Sequence, residues 1–120
     1  MKNVSVIPIE RKNKNSIRTV YLKDSTILNK LVLSDDSIYE SVKGLLIDNI
    51  ETSNYSSELY YIGHIKHDEV RHDCFLFDVT NLDIKTSLSK VKIDSLMRSE
   101  SKSNNSLVLS LCFQAMSYLK

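Results

Sequence analysis

KLVLSDDSIYESVKGLLIDNIET, residues 30–52, decides the fold of this 120-residue chain. Ser34, Asp35, Asp36 and Ser37 carry side-chain oxygens of the kind that cap a helix by accepting from its first free N–H groups. Behind them Ile38, Val42, Leu45, Leu46 and Ile50 recur at intervals of three and four, so they form one apolar stripe of an α-helix. The polar segment ETSNYSS, residues 51–57, ends it. Gly44 lies inside the helix, where glycine costs roughly 1 kcal/mol relative to alanine. A close contact that uses the missing side chain is expected there.

Working outward, Val4, Val6 and Pro8 alternate with Ser5, Ile7 and Ile9 before the polar ERKNKNS, a strand running into a turn. IRTVYLK, residues 17–23, is β-branched and aromatic and reads as its hairpin partner. A third short strand is expected at 30–33. LYYIGHIK (59–66) and CFLFDVT (74–80) are two more strands, with a short helical piece at 93–98. The last helix, 107–120, puts Val108, Leu111, Cys112, Ala115 and Leu119 on one apolar face. That face reads as core, with a homodimer surface as the alternative. Strands, helix, strands, helix, without repeats, make an α/β (α+β) sandwich with a mixed sheet in a single domain, 1–120.

Bulk composition excludes several functions. One Pro and two Gly leave no glycine-rich phosphate loop, which removes P-loop and dinucleotide-binding motifs. Cys74 and Cys112 sit in apolar runs without any CxxC, so they read as small buried hydrophobes. The apolar alternation at the start is too short for a secretory core, and no run reaches the ~18 apolar residues of a membrane helix. A cytoplasmic protein with no membrane partner is expected. The Lys-, Asn-, Ser- and Ile-rich composition suggests an AT-rich bacterial or phage genome. Residues 1–30 carry seven Lys and Arg against two acids, a balance of +5, whereas 31–120 carry nine against thirteen, a balance of −4. The basic front third reads as solvated lysines at strand ends, with nucleic acid as the alternative partner.

The order of hairpin, short strand, loop, helix and two strands resembles the Nudix hydrolase fold. That family's signature runs Gly, five residues, Glu, seven residues, then Arg-Glu-apolar-x-Glu-Glu-x-Gly-apolar. Residues 30–52 resemble it in spacing. Lys30 stands at the first glycine and Asp36 at the first glutamate. Gly44 and Leu45 replace the Arg-Glu pair, and Leu46 keeps the apolar place. Asp48 and Asn49 stand at the two metal-binding glutamates, Glu51 at the closing glycine and Thr52 at the last apolar position. LYYIGHI and HDCFLFDVTNLD resemble the strands that follow the signature. The resemblance implies a Nudix-like α/β/α sandwich around a mixed sheet.

It also implies a site, here stripped of most of its acids. Hydrolysis of a phosphoanhydride needs hard oxygen ligands that hold Mg²⁺ against the phosphates. Leucine cannot ligate a cation, and a neutral asparagine cannot serve as a carboxylate base. The leading expectation is therefore a catalytically inactive Nudix-fold module that binds a protein or a nucleotide-like ligand and needs no cofactor. The alternative is an atypical pyrophosphohydrolase using Mg²⁺ or Mn²⁺, with Asp36 and Asp48 as metal ligands, Glu51 beside them, and Glu69 or Asp73 as a turn base. Arg11, Arg18, Lys23 and Lys30 are candidates for phosphate contacts and Tyr39 for stacking a base. A small nucleic-acid-binding protein is a third alternative.

GHIKHDEVRHD, residues 63–73, holds all three histidines. It reads as a strand end and a solvated turn, His67 to Asp73 forming the tip, with His72 and Asp73 alternatively opening the next strand. Its alternatives are an acid-base centre and a metal site on His67 and His72, although HxxxxH is no established zinc spacing.

Overall fold

The first strand organises the molecule because its side chains are apolar on both faces. In the computed structural model, which describes residues 2–12, 17–33, 37–56, 58–98 and 106–118, β1 (Lys2–Lys12) lies in the interior of a six-stranded mixed sheet. Its distal half pairs antiparallel with β2 (Ile17–Leu22), and its first half pairs antiparallel with β3 (Leu28–Val32). On its other side it runs parallel to β6 (Val70–Asp78), which is hairpinned to the outer strand β5 (Leu59–His67). β8 (Ser89–Lys92) extends the sheet beyond β2, and β4 (Ile50–Glu51) with β7 (Lys85–Thr86) makes a separate two-stranded sheet.

Pro8 fits this interior strand for a topological reason. Ile9 turns its carbonyl to β6, accepting from Val79 N at 2.9 Å, so Pro8 faces the β2–β3 side. There β1 pairs with β2 from Ile9 onward and with β3 up to Val6. Proline therefore occupies a gap where no N–H is demanded.

The alternation of β1 separates two cores. Val4 and Val6 join Leu28, Val32, Phe75 and Phe77 beneath α1 (Ile38–Asn49), which presents Val42 and Leu46. Ile7 and Ile9 join Val20, Leu22, Cys74 and Leu76 beneath α2 (Ile93–Arg98) and α3 (Ser106–Tyr118), whose contributions include Ile93, Val108, Leu111, Cys112 and Ala115. The result is an α/β/α sandwich. No described helix is long and apolar enough to cross a membrane.

Local chemistry sets the element ends. Ser37, extended at φ −71°, ψ 128°, caps α1 by accepting from the Glu40 N–H; Ser34, Asp35 and Asp36 lie outside the described residues. Ile50 returns to extended geometry and donates to Leu46 O, so the helix passes directly into β4 instead of ending in a polar loop. The third strand begins at Leu28, two residues ahead of the expected start. Of the residues expected on the last helix, Leu119 and Lys120 lie outside the described residues.

Two expectations are corrected. Nothing lies within 4 Å of a Cβ built on Gly44, so no close contact uses that glycine. The hairpin tip at 67–73 shrinks to Asp68 and Glu69, both left-handed at φ 50° and 63°, while His67 pairs with Val70 inside the ladder. This two-residue turn matches strand twist better than a wide loop does, even without glycine. His72 and Asp73 are consequently buried strand residues.

Candidate functional site

The α1 stripe points Val42 and Leu46 into the core, and this leaves Leu45, Asp48 and Asn49 on the helix's flank and outer face. Opposite them stands a second two-residue turn, Asp24 and Ser25 at φ 51° and 66°, closed by Lys23 and Thr26 through mutual backbone hydrogen bonds of 2.9 and 3.0 Å. Between helix and turn runs a cleft of about 160 Å³ whose lining includes Lys23, Asp24, Asn29, Leu45 and Asn49. A second recess of about 310 Å³ shares Lys23, Asp24 and Asn49 and adds Asp48, Ser87 and Ser89.

The amides here are already engaged. Asn49 donates Nδ2–H to Leu45 O at 2.8 Å, and its backbone carbonyl accepts from Thr86 Oγ1 at 2.6 Å. Asn29 likewise donates to Ile27 O at 2.8 Å. With one N–H of each amide engaged, the cleft offers a ligand the carboxamide and carboxylate oxygens as acceptors, the hydroxyls of Thr26, Ser87 and Ser89, and Lys23 as its cation.

These residues do not fit the magnesium site that the resemblance implies. Octahedral Mg²⁺ is held by carboxylates at fixed positions, backed by substrate oxygens. Among the described residues lining the two recesses, Asp48 is the acid from α1 and Asp24 the acid across the cleft. Leu45 lines the wall at a position where a ligand would be needed. Among the described residues no three or more His, Cys, Asp or Glu side chains gather as a metal site.

The remaining candidates from the sequence lie elsewhere. Of the ligand-binding set only Lys23 joins Asp48. Arg11 is ion-paired with the buried Asp78, and Arg18 is its cross-strand neighbour. Lys30 is exposed on β3 opposite Val4. Tyr39 donates to Ser56 Oγ at 3.2 Å, with Lys43 Nζ 5.6 Å from its ring centre. Glu51 borders a different depression, beside Asp83 and Lys85. Glu69 occupies the β5–β6 tip, level with Lys2, whereas the Asp24 turn is level with Pro8. Six residues of strand, roughly 20 Å, separate the two levels. Asp36 lies outside the described residues. Asp24, Asn29, Ser87 and Ser89 were missed; a polar Asp-Ser pair between two β-rich runs was the one available signal.

The polar groups buried in strands include Asp73 and His72. On the α1 face of the sheet, Tyr61 and Arg71 donate to Asp73 Oδ1 at 2.9 and 3.2 Å. Burial, and then the bond to Asp73, raise the Tyr61 pKa. On the α3 face, His72 is buried and its ring centre lies 6.3 Å from that of His67. Cys74 and Cys112 are buried free thiols whose pKa values burial pushes up to about 11.

No protein-family model matches this chain, and no curated protein sequence matches it. Among solved structures it matches a crystal structure described as a NUDIX hydrolase from Listeria monocytogenes, strain 4b F2365. That match has a TM-score of 0.62 and 16% sequence identity, covering 82% of each chain. Likeness at that identity is a likeness of fold. The chain has a Nudix-like fold, with a mixed sheet between α1 and the α2–α3 layer.

Proposed function

We propose that this chain is a Nudix-fold protein that acts by binding, as a ligand-sequestering or interaction module, and does not hydrolyse pyrophosphate bonds. The observation that carries the reading is the composition of the α1 cleft. Leu45 and an already bonded Asn49 stand with Asp48 where a row of acids would be required. One lysine against two aspartates gives the two recesses a balance of −1. A pyrophosphate entering without its metal would meet acceptors and net repulsion. A protein segment or a nucleoside-like ligand rich in N–H and O–H donors suits those acceptors better.

The experiment is incubation with nucleoside triphosphates, ADP-ribose, dinucleoside polyphosphates and capped RNA, each with Mg²⁺ or Mn²⁺. The expected result is no product above buffer. Turnover that disappears in Asp48→Ala would overturn the proposal.

One observation favours a second reading. Asp24 and Asp48 border the same recess, which would suit an atypical metal-dependent hydrolase built on a turn carboxylate in place of the helix acids. That reading requires activity to vanish in Asp24→Ala as well as in Asp48→Ala.

A further inference from the structure

The sheet face opposite the α1 cleft carries an unmet demand. Asn3 and His72 are register partners on the parallel strands β1 and β6, and Ser5 pairs with Cys74 two residues along. All four belong to the face whose apolar members, Ile7, Ile9, Cys74 and Leu76, pack under α3. Ser5 is fully buried and His72 is 4% exposed. Yet Asn3 Oδ1, Ser5 Oγ and His72 Nδ1 have no hydrogen-bond partner. Asn3 Oδ1 and Ser5 Oγ carry lone pairs, as does His72 Nδ1 in the tautomer protonated at Nε2, and all three atoms lie on one side of two adjacent strands.

His67 stands diagonally across the β5–β6 ladder from His72, since Ile65 pairs with His72 and His67 with Val70. The two rings lie 6.3 Å apart, centre to centre, at 74°. An ion bound about 2.0–2.1 Å from an imidazole nitrogen lies roughly 3.2 Å from that ring's centre, so two rings on one ion have centres roughly 5–6.4 Å apart. At the observed 6.3 Å the two rings would hold an ion nearly in line, and closing to a tetrahedral set takes a shift of about 1 Å in the partly exposed His67 ring. His67 is 26% exposed at its side chain, and Asp68 Oδ2 lies 3.4 Å from its Nδ1. A carboxylate against one imidazole nitrogen is the arrangement that orients the other nitrogen toward a metal.

We propose that His72 Nδ1, His67 Nε2 and Asn3 Oδ1 form a binding site for a divalent first-row transition metal, with the Ser5 hydroxyl beside it. Two imidazoles and a carboxamide oxygen select ions of the zinc, nickel and cobalt class over magnesium or calcium. The set lies across three strands and therefore ties β5 to β1 through β6. The site is independent of the α1 cleft and of any activity there. A bound water would also fill the gap between the lone pairs, but it would confer no response to metal.

The test uses untagged, chelator-treated protein titrated with Zn²⁺, Ni²⁺ and Co²⁺ by calorimetry and thermal denaturation. Because His72 is buried and its variants can fail to fold, two milder variants carry the decision. One ion per chain is expected, with a melting point raised by several degrees and a visible Co²⁺ absorption band. His67→Gln is expected to weaken affinity at least about tenfold, and Asn3→Asp, which supplies a charged ligand, to tighten it about tenfold. No binding to the wild type, or an affinity that either variant leaves unchanged, overturns the assignment.

Discussion

The cleft beside α1 and the sheet face under α3 treat their polar groups in opposite ways. Along α1, the amides of Asn29 and Asn49 are bonded to backbone carbonyls, and Asp24 and Asp48 stand in solvent. Under α3, Asn3 Oδ1, Ser5 Oγ and His72 Nδ1 are sealed away without partners. An unmet buried group costs about 1–3 kcal/mol, whereas a solvated or bonded one costs little. On the α1 face Asp73 Oδ2 is also buried without a partner, but no residue lining the cleft is, so the cleft that resembles a metal-dependent site shows no unmet group while the α3 face gathers three.

Differences of this kind are open to measurement, and the largest effect concerns the α3 face, whose core holds both cysteines. Burial pushes both thiols up to about 11, so at pH 8 only about one in a thousand is thiolate. Alkylation of Cys74 and Cys112 in the native protein is expected to run about two orders of magnitude slower than in the denatured chain, where roughly a tenth or more of each thiol is ionised at that pH. Rapid native labelling of either thiol would show that its layer opens readily.

Next in size is the core. Leu46 and Leu111 are both fully buried, one beneath each helix layer. Leu46→Ala and Leu111→Ala are each expected to cost about 2–5 kcal/mol in denaturant unfolding. A cost confined to one of them would mean that only one face carries the fold.

The polar contrast itself predicts opposite signs. Asn49→Ala removes a made hydrogen bond and is expected to lower stability by about 1 kcal/mol. Ser5→Ala removes a buried hydroxyl without a partner and is expected to raise it by about 1 kcal/mol in metal-free buffer. Equal signs would erase the contrast.

The smallest effect separates the two glycines. Gly44→Ala meets open space and is expected to stabilise by about 0.5–1 kcal/mol through helix propensity. Gly63 is different. It sits in the β5 bulge at φ +104°, where a Cβ would stand 2.9 Å from Gln114 Nε2, and that amide holds Ile62 O at 2.6 Å. Gly63→Ala is expected to destabilise, and thermal melts of the pair give the comparison directly.

Much of the architecture was legible because its periods are long enough to count. Val42 to Ile50 announced α1, the apolar run from Val4 to Ile9 announced a strand though not its interior place, and Val108 to Ala115 announced α3. β4 and β7 have two residues each, too few for any alternation, and the parallel pairing of β1 with β6 spans about 70 residues and leaves no local mark. The Asp68-Glu69 turn was read too wide because neither residue is the glycine or asparagine that usually marks positive φ. In the cleft, Lys23 and Asp48 were identified, but Asp24 reaches it only because an inconspicuous Asp-Ser pair turns the chain there. Asn3 and Ser5 looked like ordinary polar members of a strand, and only the sheet's register shows that they share a face with His72.

The most direct measurement is Mn²⁺ binding to the α1 cleft, followed by electron paramagnetic resonance in the wild type and in Leu45→Glu/Asn49→Glu. Restoring two acids beside Asp48 is expected to create one stoichiometric Mn²⁺ site that Asp48→Ala abolishes, while the wild type binds none at the cleft. A wild-type chain that already holds one Mn²⁺, and loses it in Asp48→Ala, would contradict a cleft adapted to binding without hydrolysis.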